Sequence, residues 1–141
     1  MLLAVAIGFA LSQQPVINAA VALVLNSPFA AAALSLGLSA VFVFAVFLAT
    51  GAPTKPADML ALPWWAIFAA VIGAFFVAGS TVLIPITGAA LFFVCLIAGQ
   101  LLGAVFADLV GPFGFEPRGI SVQKFAGVAL AFIGVALVRW G

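Results

Sequence analysis

The 141 residues carry 68% hydrophobic and only 5% charged side chains, with a mean hydropathy of +1.49, far from the roughly 25% charged residues that solvate an ordinary globule. A formal net charge of +1 gives no electrostatic footprint for nucleic acid, and no basic run in the sequence marks a lipid-headgroup site. Histidine is absent and Cys95 is the single cysteine, so a disulfide framework, a CxxC redox pair and a Cys/His metal site within one chain are excluded.

A bilayer crossing needs about 20 apolar residues, so five crossings use nearly the whole chain as one membrane domain, 1–141. The first apolar segment spans about 2–25 and is interrupted by Ser12, Gln13, Gln14 and Asn18. It lacks the cationic start of a signal peptide, and its apolar character runs past any Ala-rich cleavage site. Asn26, Ser27 and Pro28 make a short turn, with Pro28 suited to the first turn of the next segment, 28–50. Residues 51–63, with three prolines, Lys55 and Asp58, read as an interfacial loop. Pro63, Trp64 and Trp65 close it, the two indoles fitting an aromatic belt. The third segment then spans 64–84. Pro85, Thr87 and Gly88 mark a break before the fourth, 88–109, in which Cys95 reads as a small buried hydrophobe. A Gly/Pro-rich loop with Glu116 and Arg118 precedes the fifth, 121–140, which closes on Arg139 and Trp140.

An odd number of crossings puts the termini on opposite faces. The amino-terminal side then collects Lys55, Arg118 and Lys124 against Arg139 on the other side. This nominally places the amino terminus in the cytoplasm, but on a bias weak enough to permit insertion in both directions.

Lipid offers no hydrophobic drive for helix association, so small residues spaced by four should mark the packed faces. They recur as Ala4/Gly8/Ser12, Ala31/Ser35/Ser39, Ala69/Gly73, Gly99/Gly103 and Gly127/Ala131, with Gly99 and Gly103 forming a strict GxxxG that favours packing within the chain over a dimer contact.

Polar groups away from helix ends need partners where water is scarce. Gln14 and Asn18 are one turn apart on one face, and Pro15 between them deprives the Leu11 carbonyl of its usual donor. This patch can coordinate a solute or hydrogen-bond a neighbouring helix. Gln100 is the corresponding cavity candidate in the fourth segment, whereas Asp108 lies near its end and suits a boundary role, paired with Arg118 or Lys124. Ser80 and Thr81 precede Pro85, where a hydroxyl bond back to the helix is a sufficient role. Trp64 and Trp65 can stack on an organic cation or anchor at the interface. No ionisable residue lies near the middle of any segment, which argues against intramembrane proton coupling. No GxSxG elbow or convergent acid pair supports hydrolysis, and an enzyme is not expected.

The run Asn18 to Ala20, Leu25 to Pro28, then Ala31, Ser35, Gly37 and Pro63 to Trp65, resembles the YdcZ-like (DUF606) proteins. So do Gly88 to Ala90, Gly99 to Leu102, Asp108 with Gly111 to Gly114, and Gly127 to Gly134, in the same order. The resemblance implies the drug/metabolite transporter superfamily, an inner-membrane location and five helices per domain. It also implies single dual-topology chains, oppositely oriented paralogues or fused repeats. Asn18, Gln100, Asp108, Trp64 and Trp65 fall on its motifs. Small multidrug transporters of that superfamily place a glutamate in the first helix, where this sequence has Gln13 and Gln14, a departure that argues against proton-coupled cation export.

The sequence is therefore read as an all-α integral membrane protein of five transmembrane helices, assembled as an antiparallel dimer with a second copy or an oppositely oriented paralogue. It would move a small polar or amphipathic solute between Gln14, Asn18, Gln100, Trp64 and Trp65, with no cofactor. A dual-topology passive ion channel and a non-transporting assembly subunit are the competing readings.

Overall fold

The computed structural model describes residues 2–51, 61–114, 116–119 and 121–141. Among these there is no strand, and five helices are long and apolar enough to cross a membrane. They are α1 (Leu2–Leu25), α2 (Pro28–Thr50), α3 (Ile67–Thr87), α4 (Ala89–Val110) and α5 (Val122–Trp140), with short 3-10 turns at Trp64–Ala66 and Pro112–Gly114. Helix is the only open conformation that satisfies every backbone donor without water. At 1.5 Å per residue the helices are about 28 to 36 Å long, matching a hydrocarbon core of about 30 Å.

The helix ends follow from their residues. Asn26 takes a left-handed conformation (φ 50°), and the Ser27 amide donates to the Ala22 carbonyl at 3.1 Å, closing α1 with a six-to-one bond. Ser27 then caps α2, its Oγ accepting from the Ala30 amide at 3.2 Å, with Pro28 in the first turn. Gly51 (φ 61°) and Gly111 (φ 60°) end α2 and α4 in the left-handed region, where a Cβ would be strained. Ser121 caps α5 by accepting from the Lys124 amide at 3.2 Å.

The expected break at Pro85 is not where the third helix stops. α3 continues through Pro85 to Thr87, and the chain turns at Gly88 (φ 77°). Proline removes only its own bond to the Thr81 carbonyl. The neighbouring hydroxyls stay within the helix: Thr81 Oγ1 and Ser80 Oγ donate to the Val77 carbonyl at 2.7 and 3.0 Å, both side chains buried. The third segment also starts with a 3-10 turn at Trp64–Ala66 before the α-helix begins at Ile67. Lys55, Asp58 and most of the expected interfacial loop lie outside the described residues.

The chain divides into two compact units, Met1–Ile86 and Thr87–Gly141. In the first, α1 packs against α2; in the second, α4 packs against α5. Buried positions are few and small, with Ala31 and Ala98 each 1% exposed, as expected where close approach of backbones replaces hydrophobic drive. Cys95 is a correction: it is exposed on α4, because an apolar medium gives a thiol no reason to turn inward.

Candidate functional site

The first unit holds a cavity of about 380 Å³ between α1 and α2, within the range of small-molecule sites. Its polar lining is Gln13, Gln14 and Asn18 from α1 and Ser35 and Ser39 from α2, set among aliphatic side chains such as Ile17 and Leu34. No ionisable side chain lines it.

The helical repeat explains the arrangement. Gln14 and Asn18 stand one turn apart on α1 and Ser35 and Ser39 one turn apart on α2, so each helix contributes a two-step polar ladder. Ala31, one turn before Ser35 and almost wholly buried, lines the same cavity where α1 and α2 come together. Gln14 Nε2 donates to Ser35 Oγ at 3.4 Å, a long bond between half-buried groups. Gln13 instead turns to its own helix, donating to Ser12 Oγ at 2.9 Å.

Asn18 is the exceptional residue. It is 5% exposed and its Nδ2 has no hydrogen-bond partner. A buried donor left unsatisfied costs about 1 to 3 kcal/mol, and Pro15, buried in the turn before it, removes another backbone bond from the same stretch of helix. This part of α1 therefore carries unmet polar capacity at the wall of a cavity.

Gln100 belongs to the second unit, exposed on α4. Gly99 and Gly103 are also open: a Cβ added at either meets no heavy atom within 4 Å. Trp64 is 78% exposed and packs edge-on against Phe68, with centroids 5.7 Å apart. Trp65 is half-buried. Neither indole lines the α1–α2 cavity.

Asp108 is paired with Lys124 rather than Arg118, Oδ2 to Nζ at 2.7 Å. Asp108 lies in the last turn of α4 and Lys124 in the first turn of α5. Each charge sits at the helix end that the macrodipole disfavours, and the ion pair offsets both. The Arg118 amide donates to the Asp108 carbonyl, tying the loop to the end of α4.

Ser35 and Ser39, expected as packing residues, and Gln13, which is not among the candidate binding residues, also line the cavity. Their spacing by four was visible, but a stripe that can pack and a stripe that can hydrogen-bond share that spacing. Among the described residues no group of three or more His, Cys, Asp or Glu side chains is placed to hold a metal ion.

No curated protein and no solved structure matches the chain. A family model described as "Putative inner membrane exporter, YdcZ" matches residues 1–137. With its five spanning helices, this makes the protein a multi-pass inner membrane protein of a transporter class, which is not an enzymatic class. The chain belongs to the YdcZ family of that description.

Proposed function

We propose that the protein is a carrier that binds a small, uncharged polar or amphipathic solute in the α1–α2 cavity, and that two copies inserted antiparallel give it alternating access. The observation that carries this reading is the unpartnered, buried amide of Asn18 in the wall of a cavity with no ionisable lining. A solute that reached this amide would satisfy a donor that has no partner within the protein. A charged solute would leave water without a counter-charge, at a far larger cost. The cavity opens on neutral amides and hydroxyls, which suit exchange of one hydrogen-bonded solute for another.

The second copy is supported by Gln100. It is the twelfth of the 22 residues of α4 and is exposed, in a span where an amide facing hydrocarbon has nothing to bond. A second α4 brought close along Gly99 and Gly103 would provide both a packing surface and a hydrogen-bond partner. The few orienting cations suit insertion in both directions, and inverted pairs give a site that rocks between faces.

Thiol accessibility tests the cavity. In a Cys95→Ala background, Ser39→Cys reconstituted in liposomes should react with a membrane-impermeant thiosulfonate reagent, and Asn18→Leu should slow that reaction by drying the cavity. Reaction with lipid-soluble maleimides alone would mean that the cleft faces lipid, and would end the carrier reading. The antiparallel arrangement is tested with Glu116→Cys in the same background, which should label from both faces of sealed vesicles; labelling from one face rejects it for a single-species preparation.

A further inference from the structure

Four of the seven charged residues of the chain, Asp108, Glu116, Arg118 and Lys124, fall between residues 108 and 124. No basic run announces them, because Arg118 and Lys124 are brought to one place only by the ends of α4 and α5. Beside Asp108 lies a cavity of about 600 Å³, lined also by Glu116 and Arg118 together with Pro112, Phe113 and Pro117. An apolar cleft of about 340 Å³ lies between α4 and α5, walled by Leu101, Ala104, Val105, Gly127 and Val128 and also lined by Asp108 and Lys124. The two spaces are neighbours that share Asp108 in their linings, one charged and one apolar.

Their direction matches a bilayer. Asp108 and Lys124 stand at the helix ends, where headgroups lie. Leu101 is seven residues deeper in α4, about 10 Å toward the hydrocarbon. Within the chamber the charges are not all used: among the described residues the ion pair is Lys124 with Asp108, which leaves the Glu116 carboxylate and the Arg118 guanidinium outside it. One acid and one base remain, both exposed.

We infer that this chamber and cleft form a binding site for one zwitterionic phospholipid carrying a primary ammonium group. Arg118 meets the phosphate with the forked geometry that guanidinium offers, Glu116 accepts from the ammonium, and one acyl chain lies along the α4–α5 cleft. An anionic phospholipid would set its net charge against a chamber whose charged lining, Asp108, Glu116 and Arg118, sums to −1, with Lys124 already paired to Asp108. A choline headgroup has no N–H to give Glu116. The site lies wholly in the second unit and does not depend on the α1–α2 cavity.

The test is native mass spectrometry of the full chain, delipidated in detergent and supplied with phosphatidylethanolamine, phosphatidylcholine or phosphatidylglycerol. Phosphatidylethanolamine should give the most retained adduct. Arg118→Gln, which keeps the amide that bonds Asp108, should lower retention about tenfold, as for loss of one charge-assisted hydrogen bond. Glu116→Gln should erase the preference over phosphatidylcholine. Gly127→Leu fills the cleft at a position where an added Cβ meets open space, and should reduce retention of intact lipid while the gel-filtration profile stays unchanged. Soluble glycerophosphoethanolamine at equal concentration should fail to displace the lipid. Equal retention of all three lipids, indifference to Arg118→Gln and Glu116→Gln together, or displacement by the free headgroup would overturn the inference.

Discussion

The α1–α2 pair and the α4–α5 pair are both antiparallel neighbours in an apolar chain, yet they deploy polarity in opposite ways. In α1–α2 the polar groups are neutral, lie within the helices and face a cavity, and one of them, Asn18, is buried without a partner. In α4–α5 the polar groups are charged and gather at the helix ends, while the amide within α4, Gln100, is exposed. Depth decides the chemistry. A neutral amide can be tolerated inside hydrocarbon at a cost of a few kcal/mol, whereas a charge is tolerated where it can reach the interface.

The largest effect should come from disturbing the closest packing. Ala31→Leu adds three carbons at a position 1% exposed beside the cavity and should destabilise the protein by about 2 to 3 kcal/mol. The midpoint of unfolding by SDS in mixed micelles measures this, with the exposed Ala33→Leu as the comparison that should change little. Equal effects at both positions would erase the contrast between a packed and an open face of α2.

Asn18→Leu should act in the reverse sense. It removes a buried, unpaired donor while keeping the branched shape and the number of heavy atoms, so stability should rise by about 1 to 2 kcal/mol as solute access is lost. A gain in stability with a loss of function is the signature of a residue kept for binding. A fall in the SDS midpoint of that size would show instead that Asn18 serves as a structural bond between helices.

Much of the fold was legible because lipid makes a helix obligatory and turn chemistry is local. Asn26, Ser27 and Pro28 specify the α1–α2 turn by themselves, and the bounds of α1 and α2 agree with the apolar runs. Pro85 misled because its sequence meaning in water is a stop, whereas within an apolar span one lost backbone bond does not end a helix. In the cavity lining, that Gln14 and Asn18 share a face could be read from their spacing. Ser35 and Ser39 could not, because which face of α2 meets α1 depends on the rotation of helices that are hydrophobic all round. The same ambiguity left Asp108 with two candidate partners until the Ser121 cap and the end of α4 set Lys124 against it.

On the second pair, Gly103→Ala places a methyl group where nothing lies within 4 Å, and should stabilise α4 by somewhat under about 1 kcal/mol through helix propensity. That holds for the isolated chain in micelles, by the same SDS titration. A loss of stability that appears only at protein concentrations where the dimer forms would locate a second helix against Gly103.

The smallest effect belongs to the ion pair at the ends of α4 and α5, whose Asp108 lines both the charged chamber and the apolar cleft. Its side chains are 41% and 36% exposed, so solvent screening keeps its contribution small. Lys124→Gln leaves Asp108 alone at the carboxyl end of α4, and Asp108→Asn leaves Lys124 alone at the amino end of α5, each facing an unfavourable helix dipole. Each single change should therefore lower the SDS midpoint slightly, and the double change should cost less than the sum of the two. Added salt should shrink both single effects, because exposed charges are screened over about 10 Å at 0.1 M. Strict additivity, unaffected by salt, would mean that the two charges act on separate neighbours, and the contrast between a neutral α1–α2 cavity and a charge-paired α4–α5 end would lose its electrostatic half.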